Sequence, residues 1–475
     1  MNLKIPEKQN GTQPNFPQKE NPFKMQSGYL SNDYIRLLPI LGLSLVLQIL
    51  FINFFEGMKL SGDQAHYFSL INDFYRGKGI ATIYRPPGIV WFGALVFKIF
   101  GPSLKYIFYI QAIINIVCVV IFDRIAKQLS YGIWNRNYIS VVYAIYPTFV
   151  LYSGLLLTEV LFMLFFLSFI FFWLKAIDTE QFVYAILAGI LLGCSSLVRP
   201  VAYLILPFVF VLTCLYEITF HKFRLKKAFL FLFAFFAMLV VISPWTYRNY
   251  KLCLKFVLVS SSSGEMFWSG NNMFSEGFYT PDSGLEGTNV NLNNYSVEER
   301  RNPCFRIEFD RIAKEEAYDF IKSNPKRFMI LTLKKLSNVF NPKRDYIFPL
   351  YCSDKVGPLV ANFVPTLANM VIYMLGIAGL ILTFDLHSRN GFFLLAIVCY
   401  FVAVITFTIF SARYMIPIIP FIILSSSNAS KNICLLKKRL LEGTLLLRDK
   451  MIVFAWVIFL VNMAISNWIF IKQVL

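Results

Sequence analysis

The sequence predicts an all-α protein that crosses a membrane many times. Of its 475 residues, 57% are hydrophobic and 15% are charged, whereas an average soluble domain is roughly 45–50% apolar and about 25% charged. Apolar runs such as 151–174 are long enough to cross a bilayer, because a transmembrane helix needs roughly 20 apolar residues. The composition therefore argues against a soluble enzyme, a disordered protein and a nucleic-acid-binding module.

The apolar runs indicate a bundle of about eleven transmembrane helices, within a range of roughly 10 to 13. The run at 86–100 is too short for a full crossing and predicts an interfacial helix. The predicted spans are 34–55, 104–122, 137–157, 159–175, 181–198, 200–219, 228–246, 359–384, 391–410, 414–427 and 451–471.

The polar segments divide the chain into four regions. Residues 1–33 are rich in Asn, Gln, Lys and Pro and predict a disordered cytoplasmic tail. Residues 34–246 form an N-terminal transmembrane bundle that includes a first external loop at 56–100. Residues 247–358 form an external loop region with amphipathic helices, and residues 359–475 form the C-terminal transmembrane helices.

The charge distribution predicts the orientation of the chain. The formal net charge is +18, and the basic residues of the short loops at 124–136, 222–227 and 431–450 all lie on one side of the predicted topology. The positive-inside rule makes that side, together with the N-terminus, cytoplasmic. The segments 56–100 and 247–358 then face the periplasm or exterior. Topology explains most of the excess charge without a nucleic acid partner, and an anionic lipid substrate would suit the rest.

The cysteine pattern signals no metal or cofactor. Eight cysteines are present without a Cys-x-x-Cys motif or a Cys/His cluster. Cys253, Cys304 and Cys352 fall in the long polar region, where the sequence allows a disulfide without favouring a pair.

The first external loop carries the most informative polar residues. Asp63, His66 and Tyr67 are spaced at i, i+3 and i+4 and share one face of a predicted helix. This spacing suits a catalytic carboxylate with neighbours that orient it or contact a sugar. An N-cap role for Asp63, in which it accepts backbone N–H bonds, fits the pattern equally well.

Arg85 lies in a stiff turn at the predicted membrane surface. Pro86 excludes the α conformation for Arg85, and Pro87 stiffens the turn further. A guanidinium binds phosphate oxygens in a bidentate manner, which makes Arg85 a candidate phosphate ligand. The alternative is an interfacial anchor before a helix.

Further charged residues stand at the predicted external ends of the spans, namely Glu159, Arg199, Arg248 and Arg413. Snorkelling explains any one of these arginines. Together with Asp63 and Arg85 they place four arginines and two acids at one leaflet, which suits an anionic lipid headgroup.

The order of these motifs resembles glycosyltransferase family 39, the bacterial relatives of protein O-mannosyltransferases and of the lipid A aminoarabinose transferase. Asp63 in an external loop is followed by Arg85-Pro86-Pro87-Gly88, and the similarity covers about 55 to 425. The supporting motifs are Phe100-Gly101, Thr158-Glu159, Val198-Arg199-Pro200, Pro244-Trp245-Thr246-Tyr247-Arg248-Asn249, Trp268-Ser269-Gly270-Asn271-Asn272, Phe320-Ile321-Lys322-Ser323-Asn324-Pro325 and Ala412-Arg413-Tyr414-Met415-Ile416-Pro417-Ile418-Ile419-Pro420.

The resemblance implies a GT-C fold, a site facing the periplasm or lumen, and a donor sugar on polyprenyl or dolichyl phosphate that is transferred with inversion. It makes Asp63 the catalytic carboxylate, places Arg85 where relatives carry Arg or Lys beside the proline pair, and matches Glu159 to an acidic position at the start of the fourth span. Relatives commonly have Glu after the aspartate, whereas this chain has Gln64. That departure weakens the case for a protein mannosyltransferase and leaves the acceptor open.

The resulting hypothesis is an inverting glycosyltransferase of a bacterial inner membrane. Its donor would be a polyprenyl-phosphate sugar and its acceptor a periplasmic lipid, glycan or protein. Asp63 would act as general base with Glu159 as acidic support, and no metal or cofactor would be required. The expected phosphate ligands are Arg85, Arg199, Arg248 and Arg413, and the expected sugar or acceptor contacts are His66, Tyr67, Asn271 and Asn272.

Two alternatives come from other classes. An O-antigen polymerase or ligase would share the helices, the large external loop and the external arginines, but it would use a diphosphate-linked oligosaccharide. A transporter or flippase of lipid-linked sugars would carry repeats and charges near the midplane of the bilayer. The charges of this chain gather at one surface, which favours an enzyme.

Overall fold

The computed structural model describes residues 33–54, 60–220, 225–277, 290–291, 294–342, 357–383, 389–444 and 446–474. Within these ranges the chain is helical and contains no β-strand. The helices are α1 Leu38–Phe54, α2 Gly62–Tyr75, α3 Gly88–Phe100, α4 Leu104–Gln128, α5 Ile133–Ile145, α6 Pro147–Ser153, α7 Glu159–Thr179, α8 Phe182–Val198, α9 Ile205–Phe220, α10 Leu225–Cys253, α11 Ser263–Ser269, α12 Val297–Arg301, α13 Phe305–Ser323, α14 Pro325–Val339, α15 Pro358–Thr383, α16 Arg389–Phe407, α17 Ile419–Leu441 and α18 Leu447–Val474.

Five described helices are long and apolar enough to cross a membrane, and five shorter apolar helices accompany them. The prediction of an all-α polytopic membrane protein is confirmed. The run at 86–100 forms α3, one of the shorter apolar helices. The predicted N-terminal tail and Cys352 lie outside the described residues. The long candidate spans are Asp33–Phe54, Leu104–Gln128, Glu159–Thr179, Leu225–Cys253 and Asn362–Leu382.

Helix α7 forms the centre of the bundle. Phe162, Phe166, Phe169 and Trp173 are fully buried along it, and successive pairs of these rings stack with centroids 5.4–6.4 Å apart. Because a helix that is apolar on all sides needs neighbours on all sides, α7 packs against α4 and α8. Its first residue, Glu159, therefore stands at the end of the most enclosed helix of the fold.

Helices α8 and α10 pack with their backbones in contact. A side chain on Gly189 would place its Cβ atom 2.1 Å from the carbonyl oxygen of Ala234, and one on Gly193 would meet Val241 at 2.7 Å. Small residues four apart let membrane helices approach in this way. The close approach holds the end of α8, and hence Arg199, against the rest of the bundle.

The prediction of one continuous span at 137–157 is wrong. The structure divides it into α5 and α6, with Tyr146 in an extended conformation between them. Pro147 is the cause, because a proline disfavours the α conformation of the preceding residue and begins a new helix readily. The predicted span at 414–427 also begins later, at Ile419, after a short 3-10 turn at Ala412–Met415.

A group of buried ion pairs joins the ends of α1, α4 and α5 that lie away from α2. Arg136 donates to Asp123 at 2.6 Å and to Asp33 at 3.1 Å, and Arg36 donates to Asp123 as well. The basic residues of this group belong to the side that the sequence predicts to be cytoplasmic.

The segment that the sequence predicts to be external, called the external segment below, folds over the opposite end of the bundle as α11–α14. A disulfide links Cys253, the last residue of α10, to Cys304 directly before α13. Helix α14 exposes the apolar side chains of Met329, Ile330 and Leu333 on one face, which agrees with a helix that lies on a membrane surface.

We expect alkylation of the denatured protein to modify two more cysteines after reduction than before it. The bridge closes a loop of sequence separation 51, for which chain entropy alone predicts about 4 kcal/mol of stabilisation. Mass spectrometry of the alkylated peptides measures this directly, and a Cys253→Ser, Cys304→Ser double variant is the control. Equal modification with and without reductant would contradict the bridge.

Candidate active site

Asp63 lies in the first turn of α2, at the end of the bundle that the sequence predicts to be external. Ser61 occupies the N-cap position without a side-chain capping bond, and the carboxylate of Asp63 binds arginines. The N-cap alternative for Asp63 therefore does not describe its contacts. The neighbouring Gln64 is buried, and its Oε1 accepts a 2.8 Å hydrogen bond from the backbone N–H of Leu156. This bond holds the start of α2 against the turn that leads into Glu159.

Two acids and three arginines form a continuous chain of ion pairs, called the arginine–carboxylate chain below. Arg85 Nη2 donates to Asp63 Oδ1 at 2.5 Å, and Arg413 Nη1 donates to Asp63 Oδ2 at 2.6 Å. Arg413 Nε donates to Glu159 Oε1 at 2.7 Å, and Arg199 Nη1 donates to the same oxygen at 3.2 Å. Arg413 thus bridges the two carboxylates.

The arginine–carboxylate chain has a net charge of +1. Three guanidinium groups face two carboxylates. The side chain of Glu159 is 1% exposed, whereas that of Asp63 is 30% exposed. One end of the cluster is therefore enclosed, and the Asp63 end can be reached by a ligand. A partly desolvated surplus charge is costly unless an anion is bound.

The two arginines determine the protonation state of Asp63. Burial by itself would raise the pKa of Asp63, but the charges and hydrogen bonds of Arg85 and Arg413 outweigh burial and lower it below its ordinary value. Asp63 is ionised at neutral pH. The pKa of Arg85 is raised despite burial, because Tyr67, Asp63 and Tyr84 surround it.

Arg85 is held between aromatic rings. Its guanidinium lies 5.3 Å from the ring centroid of Tyr67 and 4.9 Å from that of Tyr84. Its Nε is buried and has no hydrogen-bond acceptor. The side chain is therefore fixed in direction and still has an N–H group to offer.

Arg248 does not join the arginine–carboxylate chain. It donates to the carbonyl oxygen of Thr82 at 3.2 Å and to Asn249 Oδ1 at 3.0 Å, and it lies over the ring of Trp245. Its contact with Thr82 supports the loop that presents Arg85.

The predicted sugar contacts separate into two groups. Tyr67 is buried beneath Arg85, and the side chain of His66 is exposed on α2. Asn271 and Asn272 are buried, and their amides donate to backbone carbonyls, among them those of Phe267 and Trp268. The structure does not bring these two asparagines to Asp63.

The external segment contributes residues that the sequence analysis missed. Arg306 at the start of α13 lies 4.4 Å from the ring centroid of Tyr84 and pairs with Glu265 of α11 at 3.4 Å. Burial raises the pKa of Glu265, while Arg306 and the Tyr84 hydroxyl oppose that shift. Glu265 and Arg306 lie beside Tyr84 only because the fold brings together regions more than 150 residues apart in sequence. No local motif could therefore have predicted them.

No group of three or more His, Cys, Asp or Glu side chains converges among the residues with described positions. The two acids nearest each other at the site, Asp63 and Glu159, are separated by Arg413, and both oxygens of Asp63 already accept from guanidinium groups. In this arrangement they bind arginines and do not form a metal-ligand set.

Residues 84–247 match the family model described as dolichyl-phosphate-mannose-protein mannosyltransferase. The match includes Arg85, Glu159 and Arg199, and it ends before Arg413. No curated protein matches the chain.

Solved structures of the Archaeoglobus fulgidus oligosaccharyltransferase share the fold. The apo form is 15% identical with a TM-score of 0.53, and the alignment covers 94% of this chain and 56% of that one. The same enzyme, AglB, in complex with an inhibitory peptide and a dolichol-phosphate gives 14% identity, a TM-score of 0.53 and coverages of 91% and 55%. The chain has the fold of the GT-C glycosyltransferases. It spans little more than half the length of the archaeal enzyme.

Proposed function

We propose that the chain transfers a sugar from a polyprenyl-phosphate donor to an acceptor at the external membrane surface, with inversion at the anomeric carbon. The arginine–carboxylate chain supports this proposal: it places an ionised carboxylate between two arginines, with one positive charge left over, where α2 meets the membrane helices. A phosphate at the membrane surface is the anion that this arrangement suits. The match to a family described by its dolichyl-phosphate-mannose donor is consistent with it.

The donor phosphate would bind at Arg85 and Arg413. Arg85 offers a buried Nε without an acceptor, and both arginines are ion-paired with Asp63 before the donor arrives. The donor phosphate is a diester with one negative charge, and it would take over part of these hydrogen bonds by entering between the two guanidinium groups. The lipid phosphate that leaves is a monoester with a second charge, which the arginines would bind more strongly. The carboxylate of Asp63 is then released from some of its partners, which raises its pKa toward that of a useful base.

The reaction would proceed in a single displacement. The acceptor hydroxyl oxygen attacks the anomeric carbon, the bond from that carbon to the phosphate oxygen breaks, and the electron pair leaves with the lipid phosphate. The hydroxyl proton passes to Asp63, the general-base role. Arg85 and Arg413 neutralise the charge that grows on the leaving phosphate. Glu159 holds Arg413 from its enclosed side, and Arg199 holds Glu159.

The acceptor would approach from the external segment. Glu265 and Arg306 are partly exposed and lie beside Tyr84, so they are suited to contact an acceptor on the side away from the lipid.

We also propose that the chain lies in a bacterial inner membrane, with the site on the outer side of that membrane. The Cys253–Cys304 disulfide lies in the same segment as Glu265 and Arg306, and disulfides persist in oxidising compartments such as the periplasm. Basic short loops at the opposite side support the same orientation.

The function is tested with detergent-purified protein and a panel of polyprenyl-phosphate sugars, by following release of the free lipid phosphate. Release that depends on the sugar and on an added cell-envelope extract as acceptor source supports the proposal. Turnover only with a diphosphate-linked oligosaccharide would favour the polymerase or ligase class instead.

Arg85→Ala is expected to weaken binding of undecaprenyl phosphate about 10–100-fold, the effect of losing a charge-assisted hydrogen-bond donor. Titration of the lipid phosphate into labelled protein measures this. The matched control is Arg76→Ala, because Arg76 is exposed at the end of α2 and should bind the lipid as the parent does. Equal affinities in the Arg85 variant and the parent would argue against a phosphate role.

A further inference from the structure

Lys335 is a fully buried cation, and none of the acidic residues that the structure describes pairs with it. It lies on α14 with 0% of its surface exposed, and its Nζ donates to Asn271 Oδ1 at 2.9 Å, the Thr408 carbonyl at 3.0 Å and the Gly270 carbonyl at 3.3 Å. An ammonium group has three N–H donors, so the three neutral oxygens satisfy it fully. Burying such a charge is costly, so the ammonium group depends on these three acceptors.

The three acceptors join separate parts of the external surface. Gly270 and Asn271 belong to the turn after α11, and Thr408 directly follows α16. A Cβ atom on Gly270 would lie 1.9 Å from the Thr408 carbonyl oxygen, so the two backbones are in contact. The Asn271 amide also donates to the carbonyls of Phe407 and Thr408. Lys335 thus closes a junction between α14, the α11 turn and the end of α16.

The chain leads from this junction directly into the segment that carries Arg413. The chain runs from Thr408 into the 3-10 turn Ala412–Met415, where the Tyr414 N–H donates to the Ser411 carbonyl at 2.9 Å. The Tyr414 hydroxyl contacts Met266 Sδ of α11 at 3.5 Å. On both sides of Arg413, the chain therefore contacts α11 or the turn that follows it. Lys335 connects these contacts to α14.

We propose that Lys335 is a positioning residue, whose ammonium group holds Arg413 in place to bind the donor phosphate. This inference rests on the proposed function. It assigns the buried face of α14 a role in the site, while its apolar face lies toward the lipid. Loss of the ammonium would free the end of α16 to shift, and Arg413 would move away from Asp63 and the phosphate.

The protonation of Lys335 makes this role dependent on pH. Burial lowers the pKa of Lys335 to about 8. A neutral amine has two N–H donors, so one of its three acceptors is left without this partner above that pH. The charged groups on the elements packed around it are Lys326, Arg327 and Lys334 on α14 and Glu265 on α11. Lys334 pairs with Glu276, and Arg327 donates to the Met273 carbonyl. Helix α16 carries no charged side chain after Arg389.

The test is binding of undecaprenyl phosphate to the full chain in detergent at pH 7.5 and pH 9.5. The lipid phosphate is a dianion throughout, because its second pKa is about 6. We expect Lys335→Met to weaken binding about tenfold at pH 7.5. Binding by the parent should weaken by a similar factor between the two pH values, whereas the variant should lose little more. Lys334→Met is the matched control, since Lys334 is exposed on the same helix, and it should follow the parent.

The possible results distinguish the positioning role of Lys335 from the proposed function. Equal binding by the Lys335 variant and the parent at both pH values would overturn the positioning role and leave the proposed function intact. A parent protein that does not bind the lipid phosphate would overturn the proposed function itself. A lower unfolding temperature in the variant, with parent binding that does not change with pH, would make Lys335 merely structural. If the variant does not fold, the pH series of the parent decides alone.

Discussion

Asp63→Asn is expected to lower sugar transfer by about 10²–10⁴-fold while leaving the protein folded. This range is typical for the loss of a general base, and asparagine preserves the shape of the side chain. The substitution also removes the negative charge that Arg85 and Arg413 share. Binding of undecaprenyl phosphate should therefore become tighter, because both guanidinium groups are free for the lipid phosphate.

These two opposite effects distinguish a catalytic carboxylate from a structural one. Release of the lipid phosphate measures the first, and titration of undecaprenyl phosphate measures the second. Asp73→Asn is the matched control, because Asp73 is on the same helix and pairs with Lys78 at the surface. Full activity in the Asp63 variant, or weaker lipid binding, would remove Asp63 from the proposed role.

Arg413→Met is expected to impair both binding and stability. Arg413 bridges Asp63 and Glu159, and its removal leaves the enclosed Glu159, among the described residues, with Arg199 and the Thr158 hydroxyl. Removing one partner of a buried ion pair costs about 3–5 kcal/mol. The lipid phosphate also loses one of its two proposed ligands, so its affinity should fall at least as far in this variant as in Arg85→Ala.

The same substitution predicts a change in pH dependence. Arg413 lowers the pKa of Asp63, so its loss raises that pKa. Since Asp63 acts as a base only when ionised, the acid limb of the residual activity should move to higher pH. The low pKa of Asp63 in the parent stabilises the fold above the ordinary aspartate pKa, and this contribution is lost as the pH falls through the lowered value. A pH–rate profile of the variant and the parent measures the shift, and an unchanged acid limb would contradict the ion pair.

The sequence predicted the class of fold and several members of the site. Apolar run length identified the spanning helices because the thickness of the bilayer sets it. Pro86 and Pro87 marked the stiff turn of Arg85, since proline acts on its immediate neighbours. The order of short motifs identified the resemblance that the family model and the fold confirm.

The sequence could not assign partners among residues distant in the chain. Asp63 and Arg413 are 350 residues apart, and Asp63 and Arg85 are 22 apart. Nothing local distinguished Arg413, which bridges both acids, from Arg248, which binds the Thr82 carbonyl. Asn271 and Asn272 fell within a family-like motif, yet the structure uses them to hold backbone carbonyls.

Lys335 shows most clearly what the sequence predicts and what only the fold decides. Its helix is recognisable from the sequence as basic and amphipathic, and Lys334 and Lys335 are equivalent there. The structure exposes the first and buries the second. The sequence by itself therefore determined that the chain is all-helical and crosses a membrane several times, because this follows from hydrophobicity and local geometry. Only the tertiary structure decided which charges meet, because burial and ion pairing depend on how helices pack.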